Sequence, residues 1–363
     1  MTRRLRLFTP GPLTTDAKVR EAMTRDWGSR DADFIALTAE LRQRLLWVAN
    51  GVATHVAVPL QGSGTFMLEA AVGTLVGKAD KLLVVINGAY GLRMAAIARR
   101  LGLPVETLDH ADDEPADLAR LAAALDADPA ITHVSLVHVE TTTGLLNPLE
   151  AAARLCAERG RALIVDAMAS FGALPIDLAT TPVTAVLASS NKCLEGPPGI
   201  GFALVERKAL EAADGRNPSL SLDLHAQWQG FEADGQWRFT PPVQVAAGLV
   251  EALRLLDAEG GPPARLARYR RRFDRLAGAL EQLGFRLYLD RTNQAPIIAT
   301  FRPRPETPLG RAFDFQALYD RLAAHGLVIY PGKLTDEVTF RIGVIGALQD
   351  ADFDELIAAI AET

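Results

Sequence analysis

Lys192 ends the segment Val186-Leu-Ala-Ser-Ser-Asn-Lys192, an apolar run that opens into a Gly- and Pro-rich turn reaching Gly199. The run predicts a buried strand and the turn marks its end. A second apolar run, Ala162-Leu-Ile-Val-Asp166, ends in an acid. An amine at such a place can add to a carbonyl carbon. An acid left buried by the run before it needs a cationic partner. Together the two meet the requirements of pyridoxal phosphate (PLP). The amine joins the aldehyde, and the carboxylate keeps the pyridine nitrogen protonated so that the ring can take up electrons. The plainer reading of Asp166 is a cap for the next helix.

Gln61-Gly-Ser-Gly-Thr65 follows a strand-like run and opens a helical one. Amides at a helix N-terminus with two hydroxyls suit a phosphate, and an ordinary turn capped near Thr65 uses the same residues. No Gly-Lys-Ser/Thr follows, so this is not a nucleotide P-loop. Asn87-Gly-Ala-Tyr-Gly91 places Tyr90 where a ring could cover a cofactor face or fill a turn. Glu140-Thr-Thr-Thr-Gly144 puts hydroxyls at another strand end, for a phenolic oxygen or for local backbone bonds. Trp237-Arg-Phe-Thr-Pro-Pro242 combines aromatics, a cation and a hydroxyl in a loop. Arg341, in Phe340-Arg-Ile-Gly343, sits in an apolar strand pattern and requires an anion, either an internal acid or a substrate group. The six histidines lack metal-ligand spacing, and His138 reads as a satisfied interior residue. There is no Gly-x-Ser-x-Gly elbow.

These segments need a frame. Strand-like runs at His55–Leu60, Lys81–Ile86, Val105–Leu108, His133–Val139, Ala162–Val165, Ala185–Leu187 and Gly201–Val205 alternate with Ala- and Leu-rich helical stretches. That alternation predicts an α/β fold with a mainly parallel seven-stranded sheet, whose ligands bind at the carboxyl ends of strands. After residue 245 the pattern changes to long helices, short strands and a closing helix at Asp350–Ala361. The expected division is a large α/β domain over 1–245 and a small α+β domain over 246–363. Tyr269-Arg-Arg-Arg-Phe273 reads as the wet face of a helix, with Leu266, Tyr269, Phe273 and Leu276 inward. A net charge of −6 gives no overall basic field for nucleic acid. Two cysteines, Cys156 and Cys193, make no disulfide framework. Phe8-Thr-Pro-Gly-Pro12 interrupts the basic N-terminus before any export signal forms. No apolar stretch approaches the roughly 20 residues that span a bilayer. A soluble cytoplasmic protein is expected.

Taken in order, the segments resemble the alanine–glyoxylate/phosphonate branch of the fold-type I PLP aminotransferases (class V). Phe8–Thr15, Gln61–Gly64, Asn87–Gly91, Glu140–Gly144, Val165–Met168, Ser190–Cys193, Ser219–Asp223, Trp237–Thr240, Val328–Lys333 and Phe340–Gly343 carry the resemblance over nearly the whole chain. It implies that Lys192 bears the cofactor, that Asp166 pairs with the pyridine nitrogen and that Thr141 lies near the phenolic oxygen. Tyr90 would stack on the ring, where relatives often carry a larger aromatic. Ser63, Gly64, Thr65 and Asn191 would hold the phosphate. Thr240 and Trp237 would reach it from the other subunit of a homodimer. Arg341 would bind the acidic group of the substrate, with Arg30, Ser29 and Trp27 as further candidates for a phosphonate. The phosphonate side of the branch implies amino transfer from 2-aminoethylphosphonate to pyruvate. Transamination of the alanine/serine–glyoxylate type needs the same core. An inactive ligand-binding relative is the non-enzymatic alternative, and retention of both Lys192 and Asp166 argues against it. Cysteine desulfurization would need a mobile cysteine, and none follows Cys193.

Overall fold

The computed structural model describes residues 5–332 and 338–362, apart from the side chain of Leu309. Lys333, the last residue of the Val328–Lys333 segment, lies outside them.

Seven strands build the large sheet: β1 His55–Gln61, β2 Lys81–Ile86, β3 Val105–Asp109, β4 Ile131–Val137, β5 Ala162–Asp166, β6 Ala185–Ser189 and β7 Ile200–Glu206. Their order is β1-β7-β6-β5-β4-β2-β3. Only β7 runs antiparallel to its neighbours. The runs are apolar without alternation because both faces of the sheet are covered. Side chains still divide between the faces. Leu83, Val85, Leu136, Val165 and Val186 pack under helices Ala32–Val48, Leu149–Glu158 and Val243–Glu259. Leu82, Val84, Ile86, Ile164 and Leu187 face helices Gly64–Leu75 and Ala89–Arg100. The expected His133–Val139 strand is shorter than its apolar run. It stops at Val137, and Val139–Glu140 turns away to pair with Leu145–Leu146. His138 is buried, with Nδ1 2.9 Å from Ser170 Oγ, the satisfied interior histidine expected.

A second, antiparallel sheet joins Phe285–Leu287, Ile298–Pro303, Phe340–Gly343 and Tyr330–Pro331. Helices Gly261–Gln282 and Asp350–Ala361 share its core. The N-terminal arm joins this core as well. Arg6–Leu7 pairs with Leu327–Val328, and Phe8 meets the Phe353 ring edge-on at 5.1 Å.

Two sequence expectations change. The boundary at 245/246 cuts helix Val243–Glu259 from the core it fills, where Ala246, Leu249, Val250 and Leu253 pack with Leu41 and Leu45. The change of core comes instead at Gly260–Gly261. Gly260 ends one helix in the left-handed region (φ 106°), and Pro262 and Pro263 open the next. The arginine-rich helix is also not simply wet on one side. Arg270 and Arg271 are exposed, but Arg265 and Arg272 are buried. Arg272 donates to the carbonyls of Val344, Gly346 and Leu348, and Arg265 pairs with Glu259 at 2.8 Å. Those acceptors make burial of the guanidinium groups tolerable.

Candidate active site

The carboxyl ends of β1, β2, β4, β5 and β6 meet at one edge of the sheet, and the arm crosses in front of them. Lys192 lies in the turn after β6. The turn is pinned from below: Glu195, at φ +60°, bonds its N–H to the Lys192 carbonyl at 2.8 Å. Its carboxylate accepts from Tyr269 Oη at 2.5 Å, Arg268 at 3.1 Å and the Gly346 amide at 3.0 Å. Arg265 donates to the Cys193 carbonyl at 2.8 Å. A turn held by buried charge-assisted bonds keeps the lysine stem in one place.

From there the Lys192 stem runs across the arm, and Nζ donates to the Pro10 carbonyl at 2.6 Å. Gly11 makes this crossing possible. Its φ is +113°, and a Cβ there would stand 2.6 Å from Lys192 Cδ and 2.9 Å from the Asn191 carbonyl oxygen. We predict that Gly11→Ala strains the backbone by about 1–2 kcal/mol. It should also shift the amine enough to cut turnover roughly a hundredfold, as misplacement near 1 Å can. Thermal melting and steady-state rates check both, and a variant as fast as the parent would show that the crossing is dispensable.

Asp166 is the last residue of β5 and is buried. Oδ1 accepts from the Met168 amide at 2.9 Å, while Oδ2 is buried with no hydrogen-bond partner. Burial pushes its pKa up to about 6, against the pull of the Met168 amide, Lys192 and Arg93. A half-satisfied buried carboxylate is a costly arrangement unless a cation or donor completes it.

Asp166 and Lys192 line one cavity of about 180 Å³, together with Ser63, Gly64, Thr65, Tyr90, Thr141 and Asn191. Ser63 is the N-cap of helix Gly64–Leu75, yet its side chain makes no capping bond, and the first-turn amides point toward the cavity end. Gly64 leaves no room for a side chain, since a Cβ would meet Met168 Sδ at 2.7 Å. Arg341 lies behind Thr141 and is buried. It donates to the Thr141 carbonyl at 3.2 Å and to the Pro331 carbonyl at 3.1 Å. No carboxylate forms an ion pair with it among the described residues. The buried Glu140 acts on it electrostatically without an ion pair, and two carbonyls orient the fork.

Five residues named from the sequence lie outside this cavity. Trp237 and Thr240 line a neighbouring hollow of about 350 Å³ that reaches Gly62. Trp237 donates its indole N–H to Thr38 Oγ1 at 3.1 Å and packs edge-on to Phe231, which fixes the loop against its own chain. Arg30 and Ser29 line a third hollow, about 290 Å³, shared with Trp237 and Thr240. Trp27 packs beside Phe34 under Arg25, away from all three hollows.

Two groups were missed, one behind the lining and one in it. Glu140 is buried, and accepts from the Tyr90 amide at 3.1 Å and from Thr142 Oγ1 at 2.6 Å. Burial pushes its pKa up to about 7, with Thr142 and the Tyr90 amide pulling it down. It thereby holds the start of the Tyr90 helix. The signal was the one that identified Asp166, an acid ending an apolar strand. Arg93, one helical turn beyond Tyr90, lines the cavity and donates to Thr65 Oγ1 at 3.2 Å.

The chain belongs to the class-V aminotransferases, whose family profile matches residues 18–305. A protein of Burkholderia lata named 2-aminoethylphosphonate–pyruvate transaminase 2 is 51% identical over 357 residues, covering 98% of this chain and 94% of its own. The 2-aminoethylphosphonate–pyruvate transaminase of Pseudomonas putida is 49% identical over 356 residues, 98% of this chain and 96% of its own. Among solved structures, the alanine–glyoxylate aminotransferase of Nostoc sp. superposes with a TM-score of 0.91 at 27% identity, covering 100% of this chain and 96% of that one. The pyridoxamine–pyruvate aminotransferase of Mesorhizobium loti gives 0.86 at 26% identity, with 99% and 90% covered.

Membership of this family implies PLP as the cofactor. The residues present fit it. The unpartnered Asp166 Oδ2 suits a protonated ring nitrogen, the uncommitted Ser63 hydroxyl beside a helix N-terminus suits a phosphate, and Lys192 Nζ supplies the amine.

Proposed function

We propose that this chain transfers the amino group of 2-aminoethylphosphonate to pyruvate, giving phosphonoacetaldehyde and L-alanine, with PLP as cofactor. The observation that carries the reading is Lys192 Nζ facing the same small cavity as the orphaned Asp166 oxygen, in a chain half identical to transaminases of that name. When bound, PLP supplies an aldehyde for an amine and a ring that takes up electrons. The chain's own groups do the rest. Asp166 holds a proton at the ring nitrogen. Lys192 Nζ takes the proton from the substrate carbon that bears the amine and later returns it. Ser63, Gly64, Thr65 and Asn191 would hold the phosphate, Thr141 would serve the phenolic oxygen, and Tyr90 would cover the ring. Arg341, oriented by two carbonyls, engages a phosphonate in one half-reaction and a carboxylate in the other, which a planar fork can do. Arg30 is the further candidate for the phosphonate.

The working form is proposed to be a cytoplasmic homodimer. Phe66 (54% exposed) and Phe239 (49% exposed) leave apolar surface beside the Thr240 hollow, as an interface would. Across that interface Thr240 and Trp237 would reach the neighbouring site. Both cysteines are buried free thiols, in keeping with a reducing compartment. No helix among the described residues is long and apolar enough to cross a membrane.

The superposition with the alanine–glyoxylate enzyme favours one second reading, glyoxylate as acceptor with alanine or serine as donor. A panel decides between them. Alanine formation from 2-aminoethylphosphonate and pyruvate is expected to exceed glycine formation from alanine or serine and glyoxylate by at least about a hundredfold in kcat/KM, the discrimination that unpaired buried polar groups readily give. A panel led by glyoxylate would replace the proposal with the second reading.

A further inference from the structure

Arg93 has no role in the arrangement above. It projects from the first turns of helix Ala89–Arg100, half-buried, into the cavity that holds Lys192. Its guanidinium lies 4.7 Å from the centre of the Tyr90 ring, and one N–H donates to Thr65 Oγ1 at 3.2 Å. No carboxylate forms an ion pair with it among the described residues. A guanidinium carries five donors in a rigid fork, and this half-buried one, which acts on Asp166 without an ion pair, keeps donors for an anion.

We infer that Arg93 holds a phosphorus oxyanion in this cavity jointly with Thr65. The inference rests on the PLP reading and adds a charged clamp to a cradle otherwise made of amides and hydroxyls. The hydrogen bond supports it in detail. Thr65 accepts from Arg93, so its own hydroxyl proton remains to donate to the same anion. Two sources could supply that anion, the cofactor's phosphate or the substrate's phosphonate. Thr65 stands in the first turn of helix Gly64–Leu75, beside the Ser63 cap, and this places Arg93 at the cofactor's phosphate. Stacking against Tyr90 fixes the plane of the fork, so that the clamp is in place before the ligand arrives.

The test compares ligands that differ only in the phosphate. Cofactor-free wild type, Arg93→Gln and Arg93→Lys are titrated with PLP and with pyridoxal, following quenching of tryptophan fluorescence. Arg93→Gln is expected to weaken PLP roughly tenfold to a hundredfold, the worth of a charge-assisted bond, and pyridoxal by less than about threefold. Arg93→Lys should recover part of the loss for PLP only. Equal losses for both ligands would reduce Arg93 to a structural support for Tyr90 and overturn the inference. Unchanged PLP binding with a raised KM for 2-aminoethylphosphonate alone would move the clamp to the substrate and overturn the assignment to the cofactor. If Arg93→Gln melts early without ligand, the same comparison on Arg93→Lys decides, since lysine keeps the charge and loses the fork. A wild type that binds neither ligand would sink the PLP reading itself.

Discussion

Lys192→Ala is expected to lose turnover by at least about a thousandfold, because one group is asked both to bear the cofactor and to move the proton. The folded state should survive. The stem of Lys192 crosses the arm at Gly11 and ends on the Pro10 carbonyl, while the turn beneath it is held by Glu195, Arg265, Arg268 and Tyr269. Removing the stem leaves that buried network intact, so a stability change within about 1 kcal/mol is expected. The cofactor should still bind through its phosphate and Asp166, but exchangeably. No other lysine lines the cavity among the described residues. Borohydride treatment is therefore expected to fix one cofactor per wild-type chain, at Lys192, and none on the variant. Mass spectrometry of the intact and digested protein reads this directly. A label on a different lysine, or a variant with wild-type rates, would remove Lys192 from the chemistry and with it the proposed function.

How far the sequence reached depends on the distance over which each signal acts. Asp166 and Lys192 were legible because a doubly covered parallel strand is an apolar run, and the first polar residue after it must lie at the sheet edge. The same logic fixed Gln61–Thr65, Asn87–Gly91 and Glu140–Gly144, and the cavity gathers residues from each. It also applied to Glu140 itself, which was passed over for its hydroxyl neighbours. The crossing of Pro10 and Gly11 over Lys192 spans more than 180 positions and leaves no local pattern, since strand Arg6–Leu7 finds its partner at Leu327–Val328. Arg93 was hidden for another reason. A charged residue one turn into an amphipathic helix looks like solvated surface, and only the facing Thr65 shows otherwise. The buried Arg265 and Arg272 misled in the same way. Trp237, Thr240 and Arg30 stay apart from the cavity within one chain, a separation that no local pattern announces.

Asp166→Asn should separate the cost of this carboxylate from its use. In the cofactor-free protein burial holds the folded-state pKa up to about 6, above the ordinary value of 3.8. The folded state therefore keeps a proton that the unfolded chain has already released. The stability contributed by that proton is full below the ordinary pKa and is lost as pH rises through about 6. For a shift of about two units the loss is on the order of 3 kcal/mol. Glu140, pushed up to about 7, adds a second loss at slightly higher pH. A cation at Asp166 Oδ2 removes the first penalty, so the gain in melting temperature on adding PLP is expected to grow from pH 5 to pH 8. Cofactor-free Asp166→Asn should lose the part of the pH slope that lies between 3.8 and about 6 and keep the part due to Glu140, which continues to about 7. Loaded with PLP, the same variant forfeits the buried pairing. Breaking such a pair costs about 3–5 kcal/mol, so cofactor affinity should fall by at least about a hundredfold and turnover with it. Melting curves across pH, with and without PLP, carry the whole comparison. If the variant kept the parent's whole slope and bound PLP as the parent does, Asp166 would be a helix cap and the ring nitrogen would need another partner.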